Sequence, residues 1–578
     1  MRAMQRRRPF LCSITAAGAL LSSVFLCEPS HAAEWKQAAV ASVHPLATAA
    51  GVKALEQGGN AVDAAIATAL TLGVVDGHNS GLGGGCFILI RAADGSVTAI
   101  DARETAPALA SRDMYLKPGT TEPREVDAEA SKTGPLAVAT PGALAGYALA
   151  LERFGKLKLA DIALPAAKLA EEGFALDAVY ARKLAATKKE LALFPATKAL
   201  FFKDDGSVLK EGDILKQPDL AATLRAIAAG GSRAFYEGDF ANRVGDWMAA
   251  NGGVLRKGDL CAYTPKLREP LRTTYRGHEI IGFPPPSSGG VHVAQILNVL
   301  ESFDLPALSP TDRVHTTAEA MKAAFADRAY WLGDPDFVPV PRGLLDKAYA
   351  KTLANRIQPG GPAVAVPGHG TPPRADTDVF GDLLKHTTHL STADAAGNWV
   401  ALTQTVNTTF GSKVIVPGTG VILNNEMDDF AAAPGAPNAF KLVGSDANAV
   451  APRKRPLSSM SPTIVVKDGK PFLSVGAAGG PTIISQTLQN LVNVLDLKLT
   501  LQNAIAAPRI HHQWSPDELR MEPAFGPEIL EAMKQRGHTV KEAGSVGIGV
   551  SQGVRWDEAK GEFEPVHDPR VPGAVGGR

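Results

Sequence analysis

The sequence predicts an α/β protein, and two observations support this fold class. Segments with apolar residues at helical spacing alternate with short apolar runs, in a chain rich in alanine and glycine. The apolar runs, such as residues 86–90, are continuous rather than alternating, which is typical of strands covered on both faces. Because helical segments flank these runs, we expect sheets buried beneath helices.

The first predicted elements are two helices, over residues 45–57 and from residue 61 to about residue 75. The glycine pair Gly58-Gly59 ends the first helix, and Asn60 with Asp63 has the pattern of an N-cap and its partner. The alternation of strands and helices then continues with strands over residues 86–90 and 97–100 and helices over residues 142–154 and 159–172.

A β-hairpin is predicted in the second half of the chain. Residues 387–391 and 399–407 alternate in polarity, and a glycine-containing turn from Asp394 to Asn398 joins them. If Asp394 pairs with Asn398, the register places Thr405 directly across from Thr387, with the two hydroxyl groups within reach of each other. These residues alone leave two interpretations open. The pair is either an activated threonine nucleophile or part of a threonine-rich strand pair, since threonine is common in strands.

The main break in the pattern is at residues 359–386, which hold clusters of proline and glycine with little periodicity. This composition predicts a linker or a disordered tail that ends at Thr387. Such a segment directly before a strand-starting threonine suits a self-cleaving precursor, because the upstream tail must leave before a substrate can enter.

The N-terminus has the three-part layout of a secretory signal peptide. Four arginines within the first eight residues precede an apolar stretch over residues 11–26 and a small-residue site before Ala33. The stretch is short of the ~20 residues that span a membrane. We therefore expect cleavage after Ala32 and a periplasmic or secreted protein, exported by either the general secretory or the twin-arginine route.

Composition excludes several classes of function. Residues 1–32 hold four arginines and one glutamate, so the remaining chain has 55 basic and 58 acidic side chains, a balance that argues against a nucleic-acid-binding polycation. Cys86 and Cys261 remain after the signal and could form one disulfide, although a chain of this length does not need one. The His511-His512 pair is more often structural than metal-binding. We expect neither a metal nor a cofactor.

Nine motifs together resemble the γ-glutamyltranspeptidase family of N-terminal nucleophile hydrolases. Each motif alone is weak, but in this order they cover nearly the whole chain after the signal. They are Gly58-Gly-Asn-Ala-Val-Asp-Ala-Ala65, Ser80-Gly-Leu-Gly-Gly-Gly85, Arg103-Glu-Thr-Ala-Pro107, Thr140-Pro-Gly142, Pro284-Pro-Pro-Ser-Ser-Gly-Gly290, Thr387-Thr-His-Leu-Ser391, Asn424-Asn-Glu-Met-Asp-Asp-Phe430, Arg455-Pro-Leu-Ser-Ser-Met-Ser-Pro462 and Gly476-Ala-Ala-Gly-Gly-Pro481.

The resemblance implies a four-layer αββα sandwich that cleaves itself between His386 and Thr387. A large chain of residues 33–386 and a small catalytic chain of residues 387–578 would then form one αββα unit as a heterodimer. The Thr387 hydroxyl would attack the carbonyl of His386 in the precursor and the γ-carbonyl of a γ-glutamyl amide such as glutathione in the mature enzyme. The freed α-amine would be the base, and water, an amino acid or a peptide would accept the γ-glutamyl group. His389 lies roughly 6–7 Å along the strand, too far for direct proton transfer, so we assign it a structural role.

The implied site has an oxyanion hole and two charge-recognition groups. Gly479 and Gly480 precede a helix predicted over residues 482–495 and can offer backbone N–H groups to the oxyanion. The resemblance makes Arg103 the clamp for the substrate α-carboxylate, because a guanidinium can bind a carboxylate in bidentate fashion. The other implied residues are Ser458 and Ser459 beside the carboxylate, Asn407, Glu426 and Asp429 at the α-ammonium, and Phe440 in a lid over residues 431–443, where relatives often have a tyrosine.

Two other functions compete with this one. A glutaryl acylase of the same fold, acting on cephalosporin-type amides, is disfavoured because glutaryl lacks the α-amine and would leave Glu426 and Asp429 without a cation. A periplasmic solute-binding protein would also be exported and α/β, but it would show no internal cleavage.

Overall fold

Two antiparallel sheets face each other at the centre of the molecule, in a computed structural model that describes residues 34–117, 119, 125–366, 368–375, 379–380 and 388–578. The predicted signal peptide, His386 and Thr387 lie outside the described residues. The strands are β1 (Ala38–Ser42), β2 (Gly85–Arg91), β3 (Val97–Ala102), β4 (Phe174–Ala175), β5 (Ile214–Leu215), β6 (Lys266–Arg268), β7 (Leu271–Tyr275), β8 (His278–Gly282), β9 (Val340–Pro341), β10 (Val379–Phe380), β11 (His389–Asp394), β12 (Trp399–Thr405), β13 (Thr463–Lys467), β14 (Lys470–Ala478), β15 (Ile510–His511), β16 (Leu519–Met521), β17 (Val540–Glu542), β18 (Val550–Asp557), β19 (Glu562–His567) and β20 (Ala574–Gly577).

The first sheet has seven strands in the order β20-β1-β11-β12-β2-β3-β6, and the second has six in the order β19-β18-β14-β13-β8-β7. The helices are α1 (Pro45–Glu56), α2 (Ala61–Val75), α3 (Ala143–Phe154), α4 (Leu159–Glu172), α5 (Ala178–Ala186), α6 (Lys188–Leu191), α7 (Pro195–Phe201), α8 (Pro218–Gly230), α9 (Ser232–Tyr236), α10 (Asp239–Ala250), α11 (Lys257–Cys261), α12 (Ser288–Leu300), α13 (Pro310–Trp331), α14 (Lys347–Ala354), α15 (Thr482–Leu495), α16 (Leu501–Ala506) and α17 (Pro527–Gln535).

The layers follow from which faces are apolar. Phe87 of the first sheet stacks on Phe283 beside the second, with ring centroids 4.0 Å apart, within an apolar layer between the sheets. Helices α1, α2 and α3 cover the outer face of the first sheet, and α12 and α15 cover that of the second. The predicted αββα sandwich is therefore confirmed, and strands inside the sheets, such as β11, β12 and β13, are buried on both faces.

The local signals in the first half of the chain correctly predicted the early elements. The Asn60 side chain accepts from the backbone N–H groups of Val62 and Asp63, and Asp63 in turn accepts from the N–H of Asn60 at 2.8 Å. This capping box fixes the start of α2, and Gly58 with a φ of 90° lies just past the end of α1.

The predicted hairpin register is confirmed over the described strands. His389 pairs with Thr403, Ser391 pairs with Ala401, and the N–H of Asp394 donates to the carbonyl of Asn398 at 3.0 Å. The pair of residues 387 and 405 continues this register, but its first member lies outside the described residues.

The expectation for residues 359–386 is partly wrong. Residues 379–380 form strand β10, which pairs with β9, and two of the described residues before it are bound by side chains of α13. Val364 donates its N–H to Glu319 at 3.1 Å, while its carbonyl accepts from Lys322 at 2.9 Å, and the N–H of Gly370 donates to Asp327 at 2.7 Å. Periodicity could not reveal this, because buried polar side chains of α13 hold the segment through its backbone.

Two further expectations concern cysteine and the membrane. Cys86 is buried, Cys261 is exposed, and both are free thiols, so the possible disulfide does not form. Within the described ranges, no helix is long and apolar enough to cross a membrane.

Candidate active site

The end of the hairpin places Thr405 beside the start of β11. The N–H of Gln404 donates to the carbonyl of Thr388, so pairing extends to the residue after the predicted nucleophile. The Thr405 hydroxyl is buried and accepts from the N–H of Asn407 at 2.6 Å, which leaves its own proton to donate elsewhere. Gly84 packs against this strand so closely that a Cβ there would lie 1.6 Å from the Thr405 carbonyl oxygen. The glycine-rich motif thus allows a close backbone approach.

Arg103 lies at the centre of a fully buried charge cluster. Its guanidinium contacts Glu104 at 3.0 Å, Glu426 at 2.5 Å and Asp429 at 2.9 Å. A short 3₁₀ helix, Glu426–Asp429, presents the last two carboxyl groups from the second half of the chain. The predicted carboxylate clamp and two predicted ammonium ligands are therefore in direct contact with one another, an arrangement that sequence did not predict.

The charges of this cluster do not balance, because three carboxyl groups surround one guanidinium. Burial raises the pKa of Glu104 to about 7, although Arg103 acts in the opposite direction. Burial also raises the pKa of Glu426 well above its usual range, again against the effect of Arg103. These carboxyl groups therefore hold protons more tightly than usual, and a second cation nearby would favour their release.

The remaining predicted recognition residues border the cluster. Asn407 has a left-handed φ of 77°, and its side-chain oxygen is buried without a hydrogen-bond partner among the described residues. Its amide nitrogen donates to the carbonyl of Asn425 at 3.0 Å, so the oxygen is left as an acceptor. Ser458 and Ser459 are fully buried, and the Ser458 hydroxyl accepts from the N–H of Met460 at 3.1 Å.

Sequence analysis gave no role to Glu104 or to Arg328, a second buried guanidinium. Arg328 donates to Ser288 at 2.9 Å and to Ser459 at 3.3 Å, and burial lowers its pKa to about 10 although Asp429 acts in the opposite direction. Because arginine cannot accept, the Ser459 hydroxyl is the acceptor of that bond and keeps its proton to donate. The available signal in the sequence was that α13 carries charged residues, including Arg328, at positions that face the core.

The two candidate oxyanion glycines lie between β14 and α15. Gly479 and Gly480 have positive φ values of 136° and 62°, and a Cβ at Gly480 would lie 2.7 Å from the Phe440 ring. Phe440 thus covers Gly480, and its role as a lid residue stays a prediction. The Asp428 carboxylate accepts the backbone N–H of Ala439 at 2.9 Å and so anchors the segment that holds Phe440. Phe440 has no phenol oxygen, so its side chain contacts Gly480 through the ring.

His389 is well placed for a structural role. Its two ring nitrogens lie 3.0 Å from the hydroxyl oxygens of Thr403 and Ser391, and burial lowers its pKa to about 3. Gly476 lies against the ring, where a Cβ would be 2.5 Å away. The neutral imidazole therefore bonds to β11 and β12 of the first sheet and packs against Gly476 of β14 in the facing sheet.

The histidines elsewhere are engaged in hydrogen bonds. His511 binds Ser485 at 2.9 Å, and His512 lies 3.0 Å from Asp517. Within the described part of the chain, one group of side chains has metal-ligand geometry: His315, Glu319 and His538. The Lys322 ammonium already contacts Glu319 at 2.8 Å and supplies the cation there.

An αββα sandwich of this kind is the architecture of the N-terminal nucleophile hydrolases. The family model described as gamma-glutamyltranspeptidase matches residues 47–577, and the chain belongs to this family.

Named relatives agree with this membership. The chain is 45% identical to the glutathione hydrolase proenzyme of Escherichia coli (strain K12), over 93% of this chain and 91% of that protein. It is 41% identical to the acylase ACY 1 proenzyme of Pseudomonas sp. (strain V22), over 91% of each. The crystal structure of cephalosporin acylase from Bacillus halodurans matches with a TM-score of 0.83 and 28% identity, covering 97% of this chain and 99% of that one. The chain is thus an enzyme, and the solute-binding alternative is wrong.

Proposed function

We propose that this enzyme is a self-processing γ-glutamyl hydrolase and transferase that acts on glutathione and other γ-glutamyl amides. The observation that carries this proposal is the unbalanced cluster around Arg103. A γ-glutamyl group brings an α-ammonium and an α-carboxylate. The cluster has three carboxyl groups for one guanidinium, and carboxyl groups bind an ammonium.

The ammonium fits the carboxyl-rich side of the cluster. Asp429 and Glu426 supply carboxylates, and the unpartnered oxygen of Asn407 supplies a neutral acceptor beside them. A bound ammonium would offset the mutual repulsion of the carboxylates and release their retained protons. The substrate carboxylate would bind Arg103 together with the hydroxyl groups of Ser458 and Ser459, which keep protons to donate.

The reaction follows from Thr387 at the start of the central strand. Its hydroxyl oxygen bonds to the γ-carbonyl carbon, and its proton passes to the α-amine that cleavage at His386 sets free. The N–H groups of Gly479 and Gly480 stabilise the oxyanion until the carbon–nitrogen bond breaks and the leaving amine takes the proton. Thr405 donates to the nucleophile's oxygen. Water or the amine of an amino acid or peptide then attacks the ester, and the Thr387 oxygen leaves with the incoming group's proton.

The proposed maturation gives chains of residues 33–386 and 387–578 that remain together. The strand order supports the continued association of the two chains. Strands β11 and β12 of the proposed small chain lie between β1 and β2 of the proposed large chain in one sheet. The relatives named above are proenzymes, which is consistent with cleavage. We place the protein in the periplasm or outside the cell on the basis of its N-terminal sequence.

Glutaryl acylase activity is the second candidate, because a relative 41% identical is named an acylase. The charge argument goes against it. A glutaryl group carries no ammonium, so it would add a further anion to a site in which carboxyl groups already outnumber guanidiniums.

Mass analysis of purified protein tests the maturation step. We expect two fragments, the smaller beginning Thr-Thr-His-Leu-Ser, and a Thr387→Ala variant that stays intact. Thr387→Ser, which retains a hydroxyl, is the matched control and should still mature. An intact chain that cleaves γ-glutamyl anilides would contradict the proposal.

A further inference from the structure

A cleft of about 430 Å³ adjoins the proposed acyl site. Phe440 of the predicted lid and Gly479 of the predicted oxyanion hole are among the residues that line it. Its volume falls within the roughly 300–1,000 Å³ of small-molecule sites. The roles assigned so far use Phe440 and Gly479 but none of the charged residues that line the cleft.

The charged residues that line the cleft are mainly cationic. Lys441, Arg520 and Lys541 line the cleft together with one acidic residue, Glu518. Arg520 lies within β16, and Glu518 immediately precedes that strand. The cleft therefore has a net charge favourable to an anion.

Arg520 and Lys541 are direct partners in the parallel pairing of β16 with β17. Like charges directly opposite each other in adjacent strands are destabilising. The chain keeps this pair at the edge of a cleft that borders the acyl site, and an anion between the two cations would offset their repulsion. In the proposed reaction, the amino acid or peptide that leaves or accepts the γ-glutamyl group carries a carboxylate, and this carboxylate is the anion available to the cleft.

We propose that this cleft binds the amino component of the reaction through its carboxylate, with Arg520 and Lys541 as the carboxylate ligands. This inference rests on the proposed function. The ligand is an amino acid or short peptide with a free carboxylate. It occupies the cleft as the leaving half of the donor before acyl transfer and as the acceptor afterwards, since both place their nitrogen at the same carbonyl carbon.

The first test compares two donors that share the γ-glutamyl group: its 4-nitroanilide and its 3-carboxy-4-nitroanilide. The measured quantity is the ratio of their kcat/KM values, carboxylated over plain. Lys541→Glu should lower this ratio about two- to fivefold, as for an exposed ion pair. Arg520→Gln should lower it about tenfold, because a partly buried charged hydrogen bond is lost. Added salt should shrink both effects.

Lys534→Glu is the matched control, since Lys534 is exposed on α17 and pairs with Glu531 outside the cleft. It makes the same change in net charge and should leave the ratio unchanged. Should Arg520→Gln fail to fold, Lys541→Glu changes an exposed side chain and still decides the question. An unchanged ratio in Lys541→Glu and any folded Arg520 variant, with the plain anilide still cleaved, overturns the cleft proposal alone.

The second test uses glycylglycine and glycylglycine amide as acceptors. The KM for glycylglycine should rise in Lys541→Glu by the same two- to fivefold. The KM for glycylglycine amide should not rise in this way, because the amide has no carboxylate for Lys541 to bind. Equal rises for both acceptors overturn carboxylate recognition. If the unmodified enzyme cleaves neither anilide, the proposed function fails, and the cleft proposal fails with it.

Discussion

Two buried charge clusters lie at the end of β3, one centred on Asp101 and the other on Arg103. They differ in the balance between carboxyl groups and guanidiniums. The Asp101 carboxylate accepts from the guanidiniums of Arg268 at 2.6 Å and Arg455 at 2.8 Å. Asp334 accepts the backbone N–H of Arg455 at 2.9 Å and lies close enough to act electrostatically on both guanidiniums, so two carboxylates accompany two guanidiniums. Around Arg103, one guanidinium meets three carboxyl groups. The first cluster is complete within the protein. The second has more carboxyl groups than guanidiniums, and a ligand that brings a cation would offset the difference. We use this imbalance to separate the proposed binding site from a structural ion network.

Breaking the balanced cluster should have the largest effect, and it should be on stability. Asp101→Asn leaves Arg268 and Arg455 without their shared buried anion, so we expect a loss of about 3–5 kcal/mol in the free energy of unfolding. Denaturant unfolding in a Thr387→Ala background measures it on a single chain. Asp239→Asn, which breaks an exposed pair with Arg243, is the control and should cost about 0.5 kcal/mol or less. Equal losses in the two variants would contradict the comparison.

Changing the unbalanced cluster should affect activity more than stability. Arg103→Lys keeps the charge but loses the planar fork, so we expect kcat/KM for a γ-glutamyl anilide to fall on the order of 100-fold, with self-cleavage unaffected. Arg268→Lys makes the same chemical change in the balanced cluster and should mainly lower stability. Unchanged kinetics in Arg103→Lys would show that Arg103 does not bind substrate.

The pH dependence of binding sharpens the comparison further. Because the pKa of Glu104 is raised to about 7 by burial, the folded protein holds a proton between pH 4.5 and 7 that the unfolded chain releases, and stability falls as pH rises through this window. An ammonium binds the ionised site, so binding must expel this proton at low pH. We expect the inhibition constant of L-glutamate to fall by up to about tenfold per pH unit as pH rises toward 7.

Glutarate is the control inhibitor, because it lacks the ammonium and its binding should not improve over the same range. Glu104→Gln, which cannot titrate, should flatten the glutamate profile. A flat profile in the unmodified enzyme would show that no retained proton is coupled to binding.

Sequence predicted what depends on neighbouring residues. The capping box at Asn60, the bounds of α2 and the register of β11 with β12 rest on side chains a few positions apart, where spacing alone defines the geometry. The resemblance to known motifs supplied the site residues, and their roles stay predictions.

Sequence did not predict the contacts that cross the fold. Arg103 and Asp429 are separated by 326 positions, and no local pattern indicates that they touch. Glu104 was part of a recognised motif, but its side chain had no predicted partner. The hydrogen bonds between α13 side chains and Val364 were not predicted either. They use the backbone N–H and carbonyl of Val364, which do not depend on the residue type there.

The rate ratio of two anilide substrates tests the central claim most directly. The γ-glutamyl and glutaryl anilides differ only in the α-ammonium that the unbalanced cluster is proposed to bind. A charged buried hydrogen bond left unmade costs about 2–4 kcal/mol, so the γ-glutamyl anilide should be cleaved roughly 30- to 1000-fold faster. Asp429→Asn should shrink the ratio by slowing the γ-glutamyl reaction alone. Comparable rates for both substrates in the unmodified enzyme would contradict the account and favour the acylase.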